Sequence, residues 1–73
     1  MDITTRHLTV TIDAATQYAT IRLIDGDRIY GTLQRKRVIA TGPAWRAFRA
    51  DGSEVGRGFF SARQALVVME RTL

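Results

Sequence analysis

WRAFRADGSEVGRGFFSARQALVVME, residues 45–70, holds two strand-like runs around an Asp-Gly pair and then a helix start, and that order decides the fold. Ala44 to Ala50 and Ser53 to Phe59 read as strands. Asp51-Gly52 between them is a two-residue hairpin signal, because such turns need positive φ and glycine adopts it freely. This turn sets Arg49 opposite Glu54, Phe48 opposite Val55, Arg46 opposite Arg57 and Trp45 opposite Gly58. The first pair is a favourable cross-strand contact, and in the last the indole lies over a residue with no side chain. Ser61 then opens a helix, because Ser61-x-x-Gln64 has the capping-box spacing. Ala62, Ala65, Leu66, Met69 and Leu73 recur at helical spacing and form its buried stripe. The helix is expected over about 61–72.

Toward the N-terminus the period changes to two. Leu8, Val10 and Ile12 alternate with Thr9, Thr11 and Asp13, the pattern of a half-buried strand rich in β-branched residues. Asp13 to Gln17 reads as a turn. Ala19, Ile21 and Leu23 then share one face and Tyr18, Thr20 and Arg22 the other, before a turn at Asp25-Gly26-Asp27. Ile29, Gly31 and Leu33 continue on one face, but Val38 and Ala40 have the opposite parity. Because strand side chains alternate strictly, the intervening Gln34-Arg35-Lys36-Arg37 is expected to be a hairpin tip or a bulge. The fold class is α+β: an antiparallel meander of four to six short strands packed against one C-terminal helix, in a single small domain over 1–73.

Seventy-three residues leave a marginal core, since a chain of this size buries only about 60% of its unfolded surface. Small domains usually add a disulfide, a metal or a partner subunit. Cysteine is absent and His7 is the only histidine, so a disulfide or a thiolate or histidine metal site has no residues to build it. Association, for example as a homodimer, is the staple left open. The longest apolar run is Ala65 to Met69, and Met1 to Val10 alternates polar and apolar residues. Neither suits a membrane span or a signal segment, and a cytoplasmic location is the expectation.

Catalysis needs a constellation that this chain lacks. There is no thiol, and one histidine offers no evident base to Ser61 or to a threonine. Asp13, Asp25, Asp27, Asp51 and Glu54 fall at turns or strand ends, where capping and solvation explain carboxylates. The expectation is a non-enzyme without cofactor or metal. The chain carries eleven basic residues against seven acidic ones, a formal charge of +4, and a field of that sign attracts anionic partners.

Two surfaces stand out. In the two-residue register Arg46 and Arg57 lie side by side, with Phe48, Val55 and Phe59 on their face; arginines interleaved with aromatics suit phosphate contact and base stacking. Arg35, Lys36 and Arg37 would add a basic tip. The opposite assignment turns Phe48, Val55 and Phe59 to the core and Trp45 and Ala47 outward, leaving the arginines at the sheet margin. On the helix, Val67 falls between Arg63 and Arg71 away from the buried stripe, a candidate dimer or partner contact.

The segment Trp45-x-Ala47, Asp51-Gly52 and Phe59-x-Ser61-Ala62-x-x-Ala65 resembles the second half of an AP2-like DNA-binding domain, the sheet-plus-helix module of plant transcription factors and of some phage integrases. The resemblance covers residues 45–65. It implies DNA contact from the sheet through Trp45, Arg46, Arg49 and Arg57. The functional expectation is a small nucleic-acid-binding accessory protein; the alternative is a protein-binding module that meets an acidic surface, such as a phage or mobile-element inhibitor of a bacterial defence complex.

Overall fold

A computed structural model describes residues 1–36 and 42–73, and in it six strands and one helix follow one another along the chain. They are β1 (Asp2–Thr4), β2 (Leu8–Thr11), β3 (Tyr18–Leu23), β4 (Ile29–Arg35), β5 (Trp45–Arg49), β6 (Glu54–Phe59) and α1 (Ala62–Glu70). Every strand pairs antiparallel with its neighbour in sequence, so the sheet order is β1-β2-β3-β4-β5-β6. This is the meander expected from the alternating pattern. Asp2–Thr4, within the alternating N-terminal stretch, pairs with β2 through Ile3 opposite Val10.

One face of the sheet is apolar and α1 lies on it. Leu8, Val10, Ile21, Leu33, Ala47, Val55 and Phe59 from the sheet meet Ala62, Ala65, Leu66 and Met69 from the helix, all buried. The helix touches β5 and β6 and also β1 and β2, so both ends of the sheet curl toward it. At its far end Glu70 closes the structure, accepting hydrogen bonds from Thr5 Oγ1 at 2.7 Å and from the His7 backbone amide at 2.6 Å.

The β5–β6 turn differs from the two-residue form, and the difference moves every side chain opposite β5. Phe48 pairs with Glu54 and Ala47 with Val55. Arg49 N–H donates to Ser53 O at 2.8 Å and Gly52 N–H to Arg49 O at 2.9 Å. The loop is therefore Ala50-Asp51-Gly52, a tight turn closed by Gly52 at φ 91°, the geometry of a three-residue hairpin with a left-handed last residue. Asp51 favours it by accepting from both Ser53 N–H (2.9 Å) and Ser53 Oγ (2.7 Å). The expected pairs Arg49–Glu54, Phe48–Val55, Arg46–Arg57 and Trp45–Gly58 do not form. One added loop residue slips the register by one and so reverses which faces meet.

A second irregularity follows. Trp45 pairs with Phe59 while Ala47 pairs with Val55, so Gly56, Arg57 and Gly58 together oppose Arg46. In a regular strand Val55, Arg57 and Phe59 would share one face, and the guanidinium would enter the core. Gly56 at φ 71° and Gly58 at φ 122° break that alternation: Val55 and Phe59 stay buried and Arg57 is exposed. The faces of β5 and β6 thus fit neither assignment drawn from the sequence. Trp45 and Ala47 are in the core together with Val55 and Phe59, and Phe48 is on the open face.

Other departures have local causes. Ile29, expected inward, is 56% exposed, because the pairing shifts between Ile21–Gly31 and Arg22–Ile29 and leaves Tyr30 as the extra residue. Tyr30 packs against the core instead, with its hydroxyl 2.5 Å from Thr72 Oγ1. Gln34 and Arg35 belong to β4 rather than to a tip, paired with Arg46 and Trp45. Arg37, Val38 and Ala40 lie outside the described residues. Leu73, expected in the helical stripe, is 54% exposed beyond the end of α1.

The helix starts where the capping residues place it. Ser61 Oγ accepts from Gln64 N–H at 3.0 Å, and Gln64 Oε1 accepts in return from Phe60 N–H at 3.1 Å, one residue before the cap. Ser61→Ala leaves one first-turn amide unpaired and is expected to cost about 1 kcal/mol, read as a lower urea midpoint with unchanged slope.

Candidate nucleic-acid interface

The basic residues nominated from the sequence separate into three places. Arg46 stands on the open face, half-buried, and is held on two sides. Its Nε and Nη2 donate to the two Glu54 carboxylate oxygens at 2.9 and 2.7 Å, and its guanidinium lies 5.1 Å above the Phe48 ring. A bidentate pair of this kind fixes an arginine in both position and plane. The pairing holds the Glu54 carboxyl below its ordinary range, chiefly through the hydrogen bonds from Arg46, and Lys36 adds a weaker pull from nearby.

Arg57 is exposed in the bulge opposite Arg46, and no carboxylate pairs with it among the described residues. Lys36 is also exposed. Its amide donates to Ala44 O at 2.6 Å, and Gly58 lies against Pro43, so Lys36 and the bulge flank the same end of β5. Arg46 and Lys36 both act on one acid, Glu54, and Arg57 stands in the bulge of β6 beside this end. Arg49 is at the other end of the hairpin, exposed, with Nη1 3.5 Å from Ser53 Oγ and Asp51 close by.

Trp45 and Arg35 are elsewhere. Trp45 is only 4% exposed on the helix side of the sheet, so its ring is not on the open face with Arg46. Its strand position has the parity of Ala47, which the slipped register sends to the core. Arg35 follows it: the guanidinium sits 4.5 Å over the Trp45 ring and Nη1 donates to Ala14 O at 3.0 Å. Neither joins the basic end, and Arg37 lies outside the described residues. On the helix, Val67 is 40% exposed with Arg63 and Arg71 exposed one turn to either side.

No family model, curated protein or solved structure matches the chain. Among the described residues, no helix is long and apolar enough to cross a membrane.

One feature of the open face escaped the sequence reading. Glu54 braces Arg46 rather than Arg49, which only the three-residue loop makes possible. Tyr18 is 71% exposed on the open face, where its hydroxyl accepts from Gln34 Nε2 at 3.3 Å; its place in the period-two pattern did put it opposite Ala19 and Ile21. Threonines surround these side chains: Thr20 pairs with Thr32, and Thr32 with Phe48.

The ion pair gives a pH prediction. A carboxyl whose folded value is depressed stabilises the fold above its unfolded value, and that contribution is lost as pH falls through the folded value. Glu54, Asp13, Asp51 and Glu70 are all lowered. The midpoint of thermal unfolding is thus expected to fall between about pH 6 and about pH 3. Glu54→Gln should flatten part of that fall, as measured by circular dichroism melts along the pH series.

Proposed function

We propose that this protein is a small, non-enzymatic nucleic-acid-binding accessory protein whose contact surface is the Lys36, Arg46 and Arg57 end of the β4–β5–β6 sheet. The observation that carries the reading is Arg57. A bulge built on two positive-φ glycines holds it out of the core on the free edge of the sheet, and among the described residues it has no acidic partner. An edge charge also discourages strand-to-strand aggregation. Lys36 and the Glu54-fixed Arg46 lie toward the same end of β5 as the bulge. Arg46 keeps its Nη1 donors for a phosphate while Glu54 occupies the other edge. Phosphate contacts of this kind position a nucleic acid without reading its sequence.

Fluorescence anisotropy with labelled duplex and single-stranded oligonucleotides across a salt series tests this. Two or three phosphate contacts give a slope of log affinity on log salt of roughly −2 to −3 on duplex. Arg57→Ala should weaken binding similarly on all sequences and reduce the slope by about 1. Absence of binding at low salt, or an Arg57→Glu variant that binds as well as the wild type, contradicts the reading.

The open face favours one rival. It presents Tyr18 and Ile29, 71% and 56% exposed, among threonines, and Arg22 and Arg46 are each beside a carboxylate, Asp27 and Glu54. A face so nearly neutral suits a protein partner better than a phosphate backbone. In that case the chain is a protein-binding module, and neutralising Lys36 and Arg57 leaves its activity intact.

A further inference from the structure

Where α1 begins, the two curled ends of the sheet leave a cleft of about 340 Å³. Met1, Ile3 and Ile12 line it together with Trp45 and Phe60, and among the described residues the charged side chains on its wall are Arg35 and Arg63. Among the described residues no carboxylate lines it. The volume falls at the lower end of small-molecule sites, roughly 300–1,000 Å³, and an apolar wall with a few convergent polar groups is their usual composition.

Three features of this cleft bear on what it could hold. Phe60 is a large aromatic left 71% exposed at the cleft wall, although burying such a ring is favourable. Arg63 occupies the first turn of α1, where the helix dipole disfavours a cation, and no carboxylate pairs with it among the described residues. Arg35 is immobilised over Trp45 with one nitrogen on Ala14 O, and its other donors have no acceptor among the described residues. An anion between the two guanidinium groups, carried on an apolar body, accounts for all three.

We propose that this cleft binds a small amphipathic carboxylate, its chain or ring against Ile3, Ile12, Trp45 and Phe60 and its carboxylate between Arg35 and Arg63. Guanidinium groups suit this head group because they meet a carboxylate with two parallel hydrogen bonds. The site is on the helix side of the sheet and does not depend on nucleic-acid binding.

Trp45 is the only tryptophan and lines the cleft, so its emission reports occupancy directly. The intact protein is titrated with decanoate and, separately, with 1-decanol, which has the same chain without the charge. Decanoate should give a saturable change in Trp45 fluorescence and bind about tenfold more tightly than decanol. Arg63→Gln should weaken decanoate about tenfold while leaving decanol unchanged. Phe60→Ala, at an exposed position and with its fold checked by circular dichroism, should weaken both ligands about fivefold. A non-saturating response, equal affinity for the two ligands, or Arg63→Gln and Phe60→Ala variants that bind like the wild type would overturn the proposal.

Discussion

Replacing Gly56 and Gly58 together by alanine is expected to destabilise the fold by about 2–4 kcal/mol. Both residues sit at positive φ, where an L side chain costs roughly 1–2 kcal/mol each. Space is short as well: a methyl on Gly56 would lie 2.8 Å from the Phe59 ring, and one on Gly58 would lie 2.9 Å from Pro43 Cβ. The strand has no cheap escape into regular geometry, because regular alternation turns Arg57 toward the apolar face between Val55 and Phe59. A domain of 73 residues has a total stability of about 4–11 kcal/mol, so the loss is a large share of it. The thermal midpoint should drop by roughly 10 °C or more, and the single variants should couple because both act on one bulge.

Gly31→Ala is expected to cost about 2–3 kcal/mol through crowding rather than strain. Gly31 is buried between β3 and β5, and a methyl there would collide with the Phe48 carbonyl oxygen and approach Met69 Cε at 2.9 Å. The methionine end can yield, but the carbonyl belongs to the paired β5 backbone and cannot. Urea unfolding should show a lower midpoint with little change in slope. Thr32→Ala, on the adjacent exposed position, should stay within about 0.5 kcal/mol and serves as the control.

The meander and the terminal helix were legible because each depends on local signals: period-two alternation in β2 and β3, turn residues between strands, and the Ser61–Gln64 cap. Residue-level pairing in the last hairpin was not. Asp51-Gly52 is compatible with a two-residue and a three-residue loop, and the choice is made by Ser53, whose amide and hydroxyl both donate to Asp51. That one-residue difference decides whether Arg46 meets Arg57 or Glu54. The same residues that resembled a DNA-contacting sheet therefore divide, Trp45 inward and Arg46 outward. The backbone angles of Gly56 and Gly58, which no local pattern announces, keep a charge out of the core.

The Ile29 inversion has a similar origin. Its parity with Gly31 and Leu33 is correct for an unbroken strand, but Tyr30 has a hydroxyl that needs a partner near a buried site, and Thr72 supplies it 42 residues later. A partner that distant in sequence leaves no local trace. The cleft at the start of α1 was invisible for the same reason, since its walls come from residues 3, 12, 45 and 60.

The register of β5 against β6, with its bulge at Gly56–Gly58, sets Arg57 outside and the carboxylate of Glu54 against Arg46. Cross-strand nuclear Overhauser effects between backbone protons measure it directly. The structure predicts contacts joining Ala47 with Val55 and Trp45 with Phe59; contacts joining Phe48 with Val55 and Trp45 with Gly58 would contradict it.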